Sequence, residues 1–141
     1  MFNYHLSRAE KRAMLKLVGY LAASDEDISL AERAFVRELA EELEISADDG
    51  VFEQLDAQNL ANLCAAFTRE SARRIVLVEL INLALSDDIY FTEESATIEA
   101  IARLMGIESQ VLEAIDDWVR RGDQWQAEGL DLLGLNEDPD A

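Results

Sequence analysis

Four carboxylates stand out by their spacing. Asp25 and Glu32 lie seven positions apart, and so do Asp87 and Glu94, so the second pair repeats the first further along the chain. Oxygen ligands of this kind suit hard cations such as calcium and magnesium; zinc, which prefers nitrogen and sulfur, suits them less well. Without a cation, clustered carboxylates repel and raise one another's pKa. The spacing is not that of an EF-hand, whose loop needs a glycine at its sixth position and a ligand glutamate at its twelfth. A structural role competes with the cation site. Ser29-Leu30-Ala31-Glu32 reads as a capping box, in which a glutamate serves the start of a helix. Phe91 stands where Ser29 would repeat, so Glu94 fits that role less well.

The carboxylates belong to a longer internal repeat. Residues 21–45 align without a gap on residues 83–107, with identity at Leu21/Leu83, Ala22/Ala84, Ser24/Ser86, Asp25/Asp87, Glu32/Glu94, Ala34/Ala96, Ala40/Ala102 and Ile45/Ile107. Apolar character also matches at Val36/Ile98, Leu39/Ile101 and Leu43/Met105. Each copy reads as apolar helix, Ser-Asp, short acidic link, Glu, apolar helix. Two helical hairpins related by a pseudo-two-fold axis would set the links side by side and bring the four carboxylates together.

The elements that must position them are helices. The one proline is Pro139, near the end, and no stretch alternates as a strand does. Ser7-Arg8-Ala9-Glu10 opens a helix with Met14, Leu17, Val18 and Leu21 on one face. Ser29 opens the next. Ser46 to Leu55 reads as a short helix weakened by Gly50. Asp56 caps a fourth, and a fifth follows Thr68 to about Leu85. That fifth helix is apolar nearly all round, as a helix at the centre of a globule must be. Thr92 opens a sixth, ending at Gly106, and a seventh starts near Ser109 and carries Trp118. The expected architecture is all-α, with about seven helices, two pseudo-equivalent helix pairs and a central apolar helix. Residues 1–135 form a single domain, and residues 136–141 an acidic disordered tail. Leu130–Leu135 is expected to dock back as a final turn.

This pattern resembles a known family. Ala23-Ser24-Asp25-Glu26-Asp27-Ile28-Ser29-Leu30-Ala31-Glu32, the second link Leu85-Ser86-Asp87-Asp88-Ile89-Tyr90-Phe91-Thr92-Glu93-Glu94, and the ending Leu104-Met105-Gly106-Ile107 together resemble the TerB-like domain of tellurite-resistance proteins. The resemblance spans roughly residues 12–119. It implies an all-helical fold, a cation site at the acidic links and a stress-response role through protein partners; it does not imply an established enzymatic activity, and the chain is expected not to be an enzyme. The family usually has glycine directly after the aspartate; Glu26 and Asp88 stand there instead, which makes both links more anionic.

Composition narrows the partners. The chain of 141 residues carries a net charge of −18. That charge disfavours phosphate backbones and anionic membranes and favours cations and basic protein surfaces. The alternative to a cation-binding protein is therefore a metal-free acidic adaptor for a basic protein. One cysteine excludes an internal disulfide, and one histidine, His5, argues against transition-metal chemistry. Cys64 falls on the stripe Leu60, Leu63, Phe67 and reads as core. Glu79, Asn82 and Ser86 form a polar stripe on the fifth helix and read as its solvent edge. Met1–Lys16 has no apolar leader, and Ile75–Leu85 is too short to span a bilayer, so a cytoplasmic protein is expected. Oligomeric state is open at this point.

Overall fold

The computed structural model describes residues 2–24, 27–46, 49–86 and 92–135. These residues are helical with no strand among them. A 3-10 turn at Asn3–His5 leads into α1 (Arg8–Ala22) and then α2 (Leu30–Glu42). A second 3-10 turn, Asp49–Phe52, precedes α3 (Ala57–Ala65), α4 (Glu70–Ser86), α5 (Thr92–Leu104) and α6 (Ser109–Leu133). The expected short helix at Ser46–Leu55 is thus represented by a 3-10 turn, leaving six α-helices among the described residues. Gly50 lies within that turn, where its backbone entropy works against a longer helix.

The helix starts follow from their caps. Ser7 Oγ accepts the Glu10 N–H at 3.2 Å, and Glu10 Oε1 accepts the Ser7 N–H at 2.8 Å. Ser29 and Glu32 make the same reciprocal pair, both bonds at 3.1 Å. Asp56 Oδ1 accepts the Asn59 N–H at 2.8 Å to start α3. Each cap satisfies amide donors that have no partner inside the helix.

Helix α4 runs through the centre. Val76, Leu77, Leu80, Ile81 and Leu83 are fully enclosed, and α4 packs on α1, α2, α5 and α6. Helix α1 packs on α2 as α4 packs on α5, and the cross-contacts α1 with α5 and α2 with α4 are also present. Among these four helices, the same pairs touch when α1 and α2 are exchanged for α4 and α5, while α6 packs on α4 and α5 alone and breaks the match. The detail repeats as well. Ser24 Oγ donates to Leu21 O at 2.6 Å, and Ser86 Oγ donates to Leu83 O at 2.6 Å. At the far end, the Ile45 N–H reaches Ala40 O at 2.9 Å and the Ile107 N–H reaches Ala102 O at 2.9 Å. Both endings need a left-handed residue. Gly106 takes that role in one, at φ 73, and Glu44 in the other, at φ 57.

Two features differ from expectation. Glu79 faces inward rather than along a solvent edge. Leu130–Leu135 does not dock back: α6 continues to Leu133 and stops at Gly134, which is left-handed, leaving Trp125, Leu130, Leu132, Leu133 and Leu135 exposed. No proline lies between Ser109 and Leu133, and the helix runs unbroken through Gly122 and Gly129, so the chain does not turn back.

Two glycine-related substitutions test this packing. A methyl group on Gly19 would stand 1.8 Å from the carbonyl oxygen of Val51, where α1 meets the second 3-10 turn. Gly19→Ala should cost about 3 kcal/mol or more by urea denaturation, since backbone must move. Glu44→Gly should instead stabilise by about 0.5–1 kcal/mol, the left-handed penalty of a side chain less the extra freedom of an unfolded glycine. A destabilised Glu44→Gly protein would contradict the equivalence of the two hairpin endings.

Candidate acidic site at the repeated helix links

Glu32 and Glu94 occupy the same place in their hairpins, the third residue of α2 and of α5. Each begins the buried stripe of its helix. Glu32 is followed inward by Val36, Leu39 and Leu43, and Glu94 by Ile98, Ile101 and Met105. These are the i+4, i+7 and i+11 positions of one helical face. That phase carries both carboxylates into the interior: Glu32 is 1% exposed and Glu94 2%.

Capping accounts for only part of Glu32. Its Oε1 accepts the Ser29 N–H, while Oε2 is buried with no hydrogen-bond partner among the described residues. An unpaired buried carboxylate oxygen is costly, so Oε2 calls for a partner such as an ordered water or a cation.

Asp25 and Asp87 lie outside the described residues, and with them the expected convergence of four carboxylates. The residues directly before them, Ser24 and Ser86, are described and make the matched hydrogen bonds given above, although Ser86 is the last residue of α4 whereas Ser24 lies two residues beyond the end of α1. Among the described residues, no three His, Cys, Asp or Glu side chains come together as a metal-binding group. Of the candidate residues, Glu32 and Glu94 are thus the described ones, each buried at the start of its own helix.

Three other ionisable groups are distinguished by their surroundings. Cys64 is enclosed on the α3 stripe, and burial pushes its thiol up to about 11, which makes it inert as a nucleophile at neutral pH. For Glu10, burial alone would raise the pKa, but the Arg69 guanidinium and the Ser7 cap outweigh it and hold the carboxyl below its ordinary value. Glu79 goes the other way. Burial holds it above its ordinary value, and the charge of Glu42 adds to this, against opposite pulls from the amino-terminal charge and the Asn3 side chain. Periodicity misplaces Glu79 because α4 is apolar on nearly every side and so does not show which direction is out. Extending the repeat alignment backward sets Glu79 on Leu17, a core residue, which was the available signal.

The two glutamates give opposite pH dependences. Glu10, with its lowered pKa, stabilises the fold above the ordinary value of 4.5, and this is lost as pH falls. Glu79, with its raised pKa, gains a proton on folding, so its contribution to stability declines as pH rises above 4.5. Glu79→Gln should match the natural protein near about pH 4 and exceed it in denaturation free energy at about pH 7. A less stable Glu79→Gln protein at neutral pH would show that the ionised carboxylate is held favourably.

No helix among the described residues is long and apolar enough to cross a membrane. Comparisons with protein-family models, with curated proteins and with solved structures give no match to this chain.

Proposed function

We propose that this chain is a TerB-like helical interaction protein whose two acidic links hold a divalent cation, calcium or magnesium, through Asp25, Glu32, Asp87 and Glu94. The observation that carries the reading is the burial of Glu32 and Glu94 at equivalent positions, with Glu32 Oε2 left without a hydrogen bond by the described residues. The donor set is all oxygen, which fits a hard cation. Ser29 keeps one oxygen of Glu32 fixed, so the second is presented in a set direction. A bound cation would supply positive charge to these carboxylates and tie the links to the starts of α2 and α5. It would favour one arrangement of the hairpins by mass action. In this reading the protein is a cytoplasmic stress-response component acting through protein partners, not an enzyme.

A second reading rests on the complete capping box of Glu32. There the glutamates are purely structural, and the acidic surface of a chain with net charge −18 binds a basic protein without metal.

Thermal melting with chelator, then with added calcium or magnesium, separates the two. The cation reading expects a rise in Tm that grows with metal concentration, since ligand at about 100 times its Kd adds roughly 2.7 kcal/mol. The rise should shrink in Asp25→Ala, in Asp87→Ala and in Glu32→Gln, the last of which keeps an oxygen for the Ser29 cap. A Tm indifferent to millimolar metal, or a rise unchanged in all three variants, would leave the adaptor reading standing alone.

A further inference from the structure

Helix α6 is far longer than the body it packs on. Val119 is its last buried residue, held in the core, and Trp118 beside it touches Phe2 with ring centroids 6.0 Å apart. From Arg120 to Leu133 every residue except Gly129 is exposed. At about 1.5 Å of rise per residue, that segment projects by about 21 Å. The apolar stripe does not stop where the body stops. Val111, Ile115, Trp118, Gly122, Trp125, Gly129 and Leu132 follow one another at alternating steps of four and three, the spacing of a coiled-coil seam. On the projecting half, Trp125 is 74% exposed, Leu132 87% and Leu133 72%.

Two glycines in this seam have no explanation within the chain. Gly122 and Gly129 are helical, and a methyl group on either would meet nothing within 4 Å. Each costs the helix about 1 kcal/mol relative to alanine. They fall one heptad apart on the seam, each between bulky residues, so the surface alternates large and small.

We infer that the projecting half of α6 is a self-association surface, on which a second copy of this chain pairs its own α6 in antiparallel orientation. The alternation is self-complementary only in that direction. Antiparallel pairing sets Trp125 over the partner's Gly122 and Trp118 over the partner's Gly129, and both contacts occur twice. Parallel pairing in register would set tryptophan on tryptophan and glycine on glycine. Charge agrees with the geometry: the antiparallel register brings Arg121 beside the partner's Glu128, again twice. The partner's Leu132 is then directed toward the groove between α4 and α6, rimmed by Val78, Ala114 and Trp118, which continues the seam on the body.

Area supports the same occupant. Trp118 and Trp125 with Leu132 and Leu133, on or beside the seam, expose roughly 600 Å², at about 150–250 Å² for a fully exposed large aromatic and somewhat less for a leucine. That is the upper end of what a monomer leaves open, and two such faces reach the lower range of a specific interface, about 1,200 Å² in total. The net charge of −18 on each chain opposes association at long range. That repulsion is screened beyond about 8 Å at physiological ionic strength, while apolar contact is not. The same charge turns the face away from anionic lipid.

Sedimentation of the full chain from micromolar to 100-micromolar concentration tests this. The expected species is a dimer, twice 15.8 kDa. Trp125→Ala should raise the dimer Kd by roughly 30-fold or more, as loss of a central aromatic does, with helix content retained. Gly122→Ala should raise the melting temperature of the separated chain and yet weaken the dimer, a split that a purely local glycine would not produce. Arg121→Glu should weaken the dimer, and Arg121→Glu with Glu128→Arg should restore it. A monomer at 100 micromolar overturns the inference, as does a dimer indifferent to Trp125→Ala. A monomer that instead co-sediments with vesicles of neutral and anionic phospholipid also overturns it and assigns the face to lipid.

Discussion

Helix α4 presents apolar side chains in almost every direction, and water must be kept from all of them. Burial of each large aliphatic side chain is worth about 1.5–3 kcal/mol, so enclosing this one helix outweighs the local preferences of its neighbours. The rest of the architecture follows from that requirement. Helices α1, α2, α5 and α6 each cover part of α4, and α1 with α2 repeats the hairpin that α4 forms with α5.

That same requirement explains why carboxylates end up inside. A helix that starts on the core and takes its phase from Val36, Leu39 and Leu43 has no freedom to turn its third residue outward. Glu32 and Glu94 are carried in by the phase of the apolar residues that follow them. Glu79 is enclosed for the related reason that α4 has no free side. These groups differ in how they are accommodated. Glu79 shifts toward its neutral form through burial. Glu32 has one oxygen committed to Ser29.

Much of this was legible in the sequence where a local rule decides the outcome. Ser7 with Glu10 and Ser29 with Glu32 were readable as capping boxes, and both form with both bonds, because the pattern contains donor and acceptor together. The central position of α4, the core role of Cys64 and the left-handed ending at Gly106 were readable for the same reason. What escaped was direction and extent. Periodicity could not orient Glu79 on a helix that is apolar all round. It gave no sign that Glu44 would adopt the conformation of Gly106, since that follows from hairpin equivalence rather than from glutamate. It also gave the leucines after Leu130 a place in the core, whereas an unbroken helix carries them past it. Of the four candidate residues, Glu32 and Glu94 are buried, while Asp25 and Asp87 lie outside the described residues.

In the proposed cation site, buried Glu32 and Glu94 serve a cation and not the helix starts alone. A calcium titration of the isotopically labelled protein, followed by NMR at the backbone amides and the glutamate carboxyl carbons, addresses it most directly. Saturable shifts centred on Ser29–Glu32 and on Glu94, with the carboxyl carbons of both glutamates moving together, are the predicted result. Shifts absent at millimolar calcium, or scattered over exposed acids such as Asp117 and Asp123 while Glu32 and Glu94 stay fixed, would contradict it.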